Sequence, residues 1–234
     1  MRWLKKNWIP LCLALLFLLG AGLFLYPTIS ERLSARQQAE TISRYVTDLP
    51  ADWSEEYQQL WSDAAAYNAA LGETGITWQL SPEEESAYYA YLSSGSDGIM
   101  SYITIPAIDC SLPIYHGVEE AVLQVGVGHL PGSSLPVGGE STHCVLSGHN
   151  GLPSARLFTD LDQLQEGDTF QLHTLGVTLT YQVDHIAVVE PTDLGLLQIE
   201  GGKDYCTLVT CTPYGVNSHR LLVRGVRVAD TTSG

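Results

Sequence analysis

From residue 99 to the C-terminus, the sequence alternates short β-branched, aromatic and leucine-rich segments with turn-forming residues. This spacing is typical of a closed or nearly closed β-barrel. The expected strands include residues 100–105, 111–115, 143–147, 169–174, 177–189, 205–211 and 220–228. We therefore predict a mainly β domain over residues 99–229, followed by a short tail at 230–234.

The N-terminus carries a second strong signal. Basic residues within the first six positions precede a nearly unbroken apolar run at 8–26. Such a run is long enough to cross a bilayer, and the preceding positive charges favour a cytoplasmic N-terminus. We predict a cytoplasmic tip and transmembrane anchor over residues 1–27. A cleaved signal peptide is the alternative because residues 20–22 are small, but the apolar run continues beyond them without a clear cleavage site.

Residues 28–98 show helical rather than strand patterns. Helices are expected over 30–46, over 54–71 and from about 82 to 92. Gly72 is the expected stop of the second helix. Ser81 and Glu84 form a capping-box pattern that opens the third helix. The Gly/Ser-rich joint at 93–98 is the expected boundary with the β domain.

The composition narrows the possible functions. A formal charge of −15 argues against nucleic-acid binding, which needs a basic surface. No closely spaced Cys/His set suggests zinc, and the acidic run from Asp160 to Asp168 is better explained as a solvated turn than as a calcium site. We therefore predict neither a metal nor a cofactor.

Four cysteines lie beyond the apolar run, and three of them have apolar strand contexts typical of small buried side chains. Those three are Cys110, Cys144 and Cys206. Cys206 and Cys211 would point to opposite faces of a regular strand, which disfavours a disulfide between them.

The fourth, Cys211, ends an apolar strand at a Pro/Gly turn. Arg220 and Arg224 share one face of the next strand, so periodicity alone does not separate them. A thiol at a strand end beside a fixed positive charge is a candidate nucleophile, because the charge favours the thiolate. His149 ends another strand at a Gly/Asn turn and is a candidate acid or base.

Taken together, the TLVTC segment at 207–211, Arg220 and His149 resemble the active-site signature of sortases, the cysteine transpeptidases of Gram-positive cell surfaces. The resemblance is closest to class C, the pilin-polymerising sortases, and covers roughly residues 98–228. It rests on IPAID at 105–109, LPIYHG at 112–117, GVGHLPGSSLPVGG at 126–139, SGHNGLPSARLFTDL at 147–161 and TLVTCTPYGVNSHRLLVRG at 207–225.

The resemblance implies an eight-stranded sortase barrel in which Cys211 is the nucleophile and His149 the acid/base. The family spacing selects Arg220 over Arg224 for the oxyanion or the substrate backbone, and His219 is the main rival of His149. Thr210 and Tyr214 are expected to contact substrate.

The implied substrate is a pilin or surface protein with an LPxTG-like sorting signal, and the implied acceptor is an amine, for class C a pilin lysine. A housekeeping sortase that attaches proteins to peptidoglycan is the nearest alternative. An L,D-transpeptidase would need a Ser/Thr-x-Gly pattern before its cysteine, which is absent here. A non-catalytic, membrane-anchored assembly module is the alternative from another functional class.

Two departures from class C stand out. The family's lid motif, Asp-Pro-aromatic, is missing between residues 71 and 98, and Glu73 and Trp78 are its nearest substitutes. Trp78 could equally be an ordinary core residue. Many class C members also end in another membrane span, whereas this sequence stops at residues 230–234 without one. We therefore expect a single-pass protein with its catalytic domain on the extracytoplasmic face.

Overall fold

The computed structural model describes residues 2–50, 54–93 and 98–228. The helices are α1 (Arg2–Asp48), α2 (Glu55–Thr74), α3 (Pro82–Tyr88) and the single-turn α4 (Glu120–Leu123). The strands are β1 (Ile99–Ile105), β2 (Cys110–His116), β3 (Val127–His129), β4 (Thr142–Ser147), β5 (Thr169–Thr174), β6 (Val177–Val189), β7 (Asp204–Thr212) and β8 (His219–Arg227). They form a closed barrel in the order β1-β2-β3-β4-β7-β8-β6-β5. The predicted eight-stranded barrel is confirmed.

All of the strands predicted above are present, with ends that match or differ by one residue. β3 was not predicted, because three residues between glycine-rich segments are too few to show a strand period. It nevertheless matters for closure, since it pairs in parallel with β2 and antiparallel with β4.

The alternation of side chains along β7 separates the interior of the barrel from the outer face. Cys206 and Leu208 belong to the main core. Val209 packs instead in a smaller cluster around Val145, Leu197 and Leu222 on the outside. β7 runs parallel to β4 and antiparallel to β8, so these three strands together present one continuous outer surface.

Helix α1 continues unbroken through Pro27, so the anchor and the first predicted helix are one element. From Cys12 onwards it is long and apolar enough to cross a membrane. Its C-terminal end docks on the barrel, where the Tyr45 hydroxyl donates to the carbonyl of Met100 at 3.3 Å and accepts from the amide of Leu175 at 2.8 Å. The boundary predicted at residue 27 remains a prediction about membrane topology and is not a break in the helix.

The stop predicted at Gly72 is wrong, because α2 continues to Thr74 and is capped by Gly75 at φ +82°. Gly72 lies inside the helix, where an added Cβ would come within 3.1 Å of the Ser141 carbonyl oxygen. The glycine therefore permits close packing on the barrel instead of ending the helix.

The capping box that opens α3 is present, with Ser81 and Glu84 bonding each other's backbone amides. The helix is shorter than expected and ends at Tyr88. The fully buried Tyr88 hydroxyl donates to the carbonyl of His129 and accepts from the amide of Gly117, each at 3.0 Å. These bonds tie α3 to the barrel wall. Residues 94–97 of the predicted joint, and the predicted tail at 230–234, lie outside the described residues.

Candidate active site

The outward face of β7 ends at Cys211, which is a partly buried free thiol. On the neighbouring strand β8, Arg220 is its direct register partner. Directly opposed residues in an antiparallel pair have Cα atoms about 4.5–5.5 Å apart. The register therefore places the Cys211 and Arg220 side chains on the same face of the β7–β8 pair.

The loop after β4 brings His149 to the same end of the barrel. The Thr210 hydroxyl donates to the carbonyl of Gly148 at 2.7 Å. The Asn150 side-chain amide donates to the carbonyl of Cys211 at 2.8 Å. Both neighbours of His149 in the chain are thus bonded to β7 at or next to Cys211, so His149 is held at the end of the strand that carries the thiol.

Two polar side-chain atoms in this loop are buried without a hydrogen-bond partner: Nε2 of His149 and Oδ1 of Asn150. Oε2 of Glu120 lies 3.5 Å from His149 Nε2, within ion-pair range but at the outer limit for a hydrogen bond. Unsatisfied buried polar atoms cost free energy and are rare in folded proteins. Here both such atoms lie in the loop that carries His149.

Arg224, the rival of Arg220, is already engaged. It binds Asp184 through two hydrogen bonds, at 3.1 and 2.8 Å, and its guanidinium lies 4.2 Å from the centre of the Tyr205 ring. Arg220 instead donates to the backbone carbonyls of Asn217 and His219 in its own loop. Within the described residues, no carboxylate lies within ion-pair distance of Arg220. Of these two arginines, the one without a carboxylate partner among the described residues is thus the register partner of Cys211.

A groove runs from Arg220 across the outer face of the barrel. It contains a cavity of about 210 Å³ lined by Leu130, Val145, Val189, Leu194, Leu197, Val209 and Leu222 together with Arg220 and a few neighbours. Trp78 is half-buried and packs against this apolar cluster. Glu73 is exposed near the end of α2. Of the two lid candidates, only the aromatic one belongs to the groove cluster.

A buried histidine supports one wall of the groove. Nδ1 of His143 donates to the Gln198 carbonyl at 2.8 Å, so Nε2 must accept from the Thr207 hydroxyl at 2.7 Å. Burial lowers the pKa of His143 to about 4, and the ring is therefore neutral near pH 7. Leu197, next to Gln198 in the chain, lies in the groove. The first threonine of TLVTC therefore supports the groove wall, a role that the sequence did not suggest.

Two of the other barrel cysteines, Cys110 and Cys206, are less suited to nucleophilic chemistry because burial disfavours their thiolates. Burial raises the pKa of Cys110 to about 12, and its thiol donates to the carbonyl of Leu157. Burial also raises the pKa of Cys206 well above its usual value. Both residues remain free thiols, as does Cys144.

The remaining predicted site residues, Thr210, Tyr214 and His219, lie around Cys211 and not on the face that it shares with Arg220. Thr210 is only 2% exposed and its hydroxyl is bonded to the Gly148 carbonyl, while Tyr214 is 67% exposed on the β7–β8 loop. Substrate contact by these two residues stays a prediction. His219 pairs with Thr212, one position beyond Cys211, and its Nε2 lies 3.3 Å from Glu190.

Sequence reasoning missed Asn150 and Glu120 as neighbours of the site. Asn150 had a local signal, since it follows His149 directly in the Gly/Asn turn. Glu120 lies 29 positions before His149 in the chain and had none. Its approach depends on the packing of α4 beside β3, which periodicity cannot report.

The fold agrees with comparisons to known proteins. A family model described as the sortase domain matches residues 103–228. The crystal structure of sortase C1 from Streptococcus agalactiae is 50% identical and covers 82% of this chain and 99% of that chain, with a TM-score of 0.79. Sortase C-1 from Actinomyces oris is 46% identical and covers 74% of this chain and 99% of that chain, with a TM-score of 0.70.

Among curated proteins, sortase D of Bacillus subtilis is 30% identical over 129 residues. That match covers 54% of this chain but only 62% of the relative, so the chain spans less than two thirds of that protein's length. The family model nevertheless covers more than half of the chain, including every strand of the barrel from Ile103 onwards. This chain belongs to the sortase family.

Proposed function

We propose that this protein is a membrane-anchored cysteine transpeptidase that cleaves an LPxTG-like sorting signal through a thioester on Cys211. The observation that carries the proposal is the shared end of β7. There Cys211 faces Arg220 across the β7–β8 pair, and the loop bearing His149 is bonded to the carbonyl of Cys211. A nucleophile, a cation and an acid/base at one strand end are the groups that acyl transfer requires.

In the first half-reaction, the Cys211 thiolate attacks the carbonyl carbon of the scissile peptide bond. The resulting oxyanion is stabilised by the Arg220 guanidinium, which has no carboxylate partner of its own among the described residues. The C–N bond then breaks, and His149 gives its proton to the leaving amine. The products are a thioester on Cys211 and a released amine.

In the second half-reaction, an acceptor amine attacks the thioester. The C–N bond forms, the C–S bond breaks, and His149 takes the proton from the attacking amine. Cys211 is regenerated as a thiolate. The two half-reactions together require no oxidant, reductant or cofactor.

The groove beside Arg220 suits the apolar part of such a signal. Its walls are mostly valine and leucine side chains, and its cavity of about 210 Å³ has room for one or two side chains. Arg220 lines the same cavity, so a peptide lying in it would bring its carbonyl groups past the cation. Trp78 packs against the cluster at the place where an aromatic lid residue would act. We infer that Trp78 is the lid residue and that Glu73 contributes little.

We propose a pilin lysine as the acceptor amine and, with it, pilus polymerisation as the process. The support is the similarity to proteins named sortase C1 and sortase C-1 over most of both chains. Helix α1 would span the membrane once and hold the barrel on the extracytoplasmic face, because basic residues precede its apolar run.

The test is capture of the thioester. The purified chain is mixed with an LPxTG peptide, and the adduct is identified by mass spectrometry. Cys211→Ala should abolish both adduct and cleavage, while the matched control Cys110→Ala should retain them. His149→Ala should lower turnover by roughly a hundredfold or more. A thioester formed by folded Cys211→Ala would overturn the nucleophile assignment.

The identity of the acceptor amine is tested in a separate experiment. Product formation is compared between a pilin peptide with a lysine and the amino group of a peptidoglycan precursor. Preference for the lysine supports pilus polymerisation. Preference for the precursor would establish the housekeeping alternative and leave the thioester chemistry intact.

A further inference from the structure

We propose that the β7–β8 loop (residues 212–218) lies on the lipid headgroups beside the exit of α1, so that the catalytic end of the barrel faces the membrane. The proposal rests on the proposed function in one respect only, namely that α1 spans the bilayer. It does not depend on the substrate or on the acceptor.

The path of α1 sets the height of the barrel above the membrane. The apolar run at 8–26 is followed directly by Pro27, and the large apolar side chains described in the run are exposed. The Ser30 hydroxyl donates to the carbonyl of Pro153, in the loop after His149, at 3.3 Å. At about 5.4 Å per helical turn, Ser30 lies within one turn of Pro27. The His149 loop therefore contacts α1 immediately outside the span.

The β7–β8 loop lies at the same level. Pro27 and Glu31 of α1 line one cavity together with Pro153 and Tyr214. Tyr214 also packs over Gly151 of the His149 loop, because an added Cβ at Gly151 would come within 2.6 Å of the Tyr214 ring. The two loops thus form one surface next to the point where α1 leaves the apolar run.

The opposite end of the barrel points away from the membrane. Tyr45, near the C-terminal end of α1, bonds the backbone of Leu175 in the β5–β6 turn. The helix between Ser30 and Tyr45 is about 22 Å long at ~1.5 Å per residue. β7 runs between these ends, with Cys211 near the Ser30 level. The orientation of the barrel thus follows from a single continuous helix.

The chemistry of this surface suits an anionic lipid interface. Tyr214 and Val216 are 67% and 69% exposed although both are apolar. Neither residues 212–218 nor residues 150–155 contain Asp, Glu, Lys or Arg, in a chain with a formal charge of −15. An anionic membrane repels acidic surfaces, whereas tyrosine rings favour the headgroup region. The two loops themselves carry no charged residue and expose a tyrosine, so they can rest on lipid, while Glu31 and Arg156 line the cavity between them and α1.

The consequence is that the thiol acts close to the bilayer surface. Cys211 directly precedes the loop, and His149 lies two residues before Gly151. A substrate that is itself held at the membrane would meet the site without leaving the surface. A peptide free in solution would lose this advantage.

The experiment is photo-crosslinking of the full chain in vesicles of phosphatidylglycerol and phosphatidylcholine. Benzoylphenylalanine replaces Tyr214 or Val216 in separate samples. Phe24, 83% exposed within the apolar run, is the control site for membrane insertion. Glu140 is the negative control, because it is exposed just before the start of β4, at the far end of the barrel. Lipid adducts are measured by mass spectrometry.

We expect adducts at 24, 214 and 216, with those at 216 exceeding those at 140 by roughly tenfold, as for a side chain buried in the interface. Adducts at 24 with background levels at both loop sites would overturn the inference alone. Background levels at 24 as well would overturn the membrane anchor itself. With a sorting-signal peptide present, adducts of 214 and 216 to the peptide and none to lipid would assign the loop to substrate and reject the lipid contact.

Discussion

The polar side chains at the two ends of β7 differ in how completely they are hydrogen-bonded. At the first residue, the Asp204 carboxylate accepts from the Tyr181 hydroxyl at 2.9 Å, the Gly139 amide at 3.0 Å and the Thr142 hydroxyl at 3.2 Å. At the other end, around Cys211, two buried polar atoms have no hydrogen-bond partner. One strand therefore begins in a fully satisfied network and ends in an incomplete one.

This difference indicates that one end of β7 stabilises the fold and that the other end can bind a ligand. A satisfied buried network holds a single arrangement, and removing one member leaves the others unpaired. An incomplete site costs stability but can pair with a ligand. We expect substitutions near Asp204 to act on the free energy of unfolding, and substitutions near Cys211 to act on turnover.

The sharpest test uses two arginines of one strand. Arg220→Ala should lower turnover of an LPxTG peptide by roughly a hundredfold or more, because the oxyanion loses its cation. Arg224→Ala, the matched control, should change turnover little but lower the free energy of unfolding by about 1 kcal/mol, because the partly exposed pair with Asp184 is lost. Steady-state kinetics and urea unfolding measure the two effects. Greater loss of turnover in Arg224→Ala would move the oxyanion role to Arg224.

The opposite end of β7 should respond in stability. Asp204→Ala should lower the free energy of unfolding by about 2–4 kcal/mol, because the buried hydroxyls of Tyr181 and Thr142 lose their acceptor. Asp204→Asn keeps one acceptor oxygen and should cost less. Urea unfolding measures both variants. Wild-type stability in Asp204→Ala would show that the network does not stabilise the fold and would remove the contrast between the two ends.

The buried His143 in the groove wall should make the free energy of unfolding depend on pH. The pKa of His143 is about 4 in the folded chain, against an ordinary value of about 6.5 when unfolded. The unfolded chain therefore binds the proton more readily than the folded chain. The neutral, buried His143 ring thus contributes its full share to the free energy of unfolding above about pH 6.5, and this share is lost as pH falls toward 4. We expect wild type to lose about 2 kcal/mol more than His143→Gln between pH 7.5 and pH 5. Equal pH dependence in both folded proteins would contradict the assignment.

The last prediction concerns the lid. Trp78→Ala should speed modification of Cys211 by a small thiol reagent by roughly ten- to a hundredfold, the equivalent of about 1.5–3 kcal/mol of aromatic burial. Glu73→Ala should change the rate little, because an exposed ion pair contributes at most about 1 kcal/mol. Labelling is followed by mass spectrometry in a Cys110→Ala background. Equal rates in wild type and Trp78→Ala, with both folded, would make Trp78 an ordinary packing residue.

Much of the fold was accessible from local pattern. Strand periodicity predicted β7 and β8 almost to their ends, and the Ser81/Glu84 pair predicted the start of α3. Gly72 misled the prediction because glycine serves both as a helix stop and as a close-packing residue. Which role applies depends on the Ser141 carbonyl, which lies far away in sequence.

The candidate site likewise has features that the sequence predicted and features that depend on distant contacts. The sequence by itself determined which chemical groups are present, and the ordered segments around Cys211, His149 and Arg220 sufficed to indicate the family. Only the tertiary structure decided that Arg224 is taken by Asp184 while Arg220 faces the thiol, because both share one face of β8. It also decided that Thr207 supports the groove through His143 and that α1 meets the His149 loop. Periodicity reports which face a side chain occupies, whereas its partners depend on strands and helices that are distant in sequence.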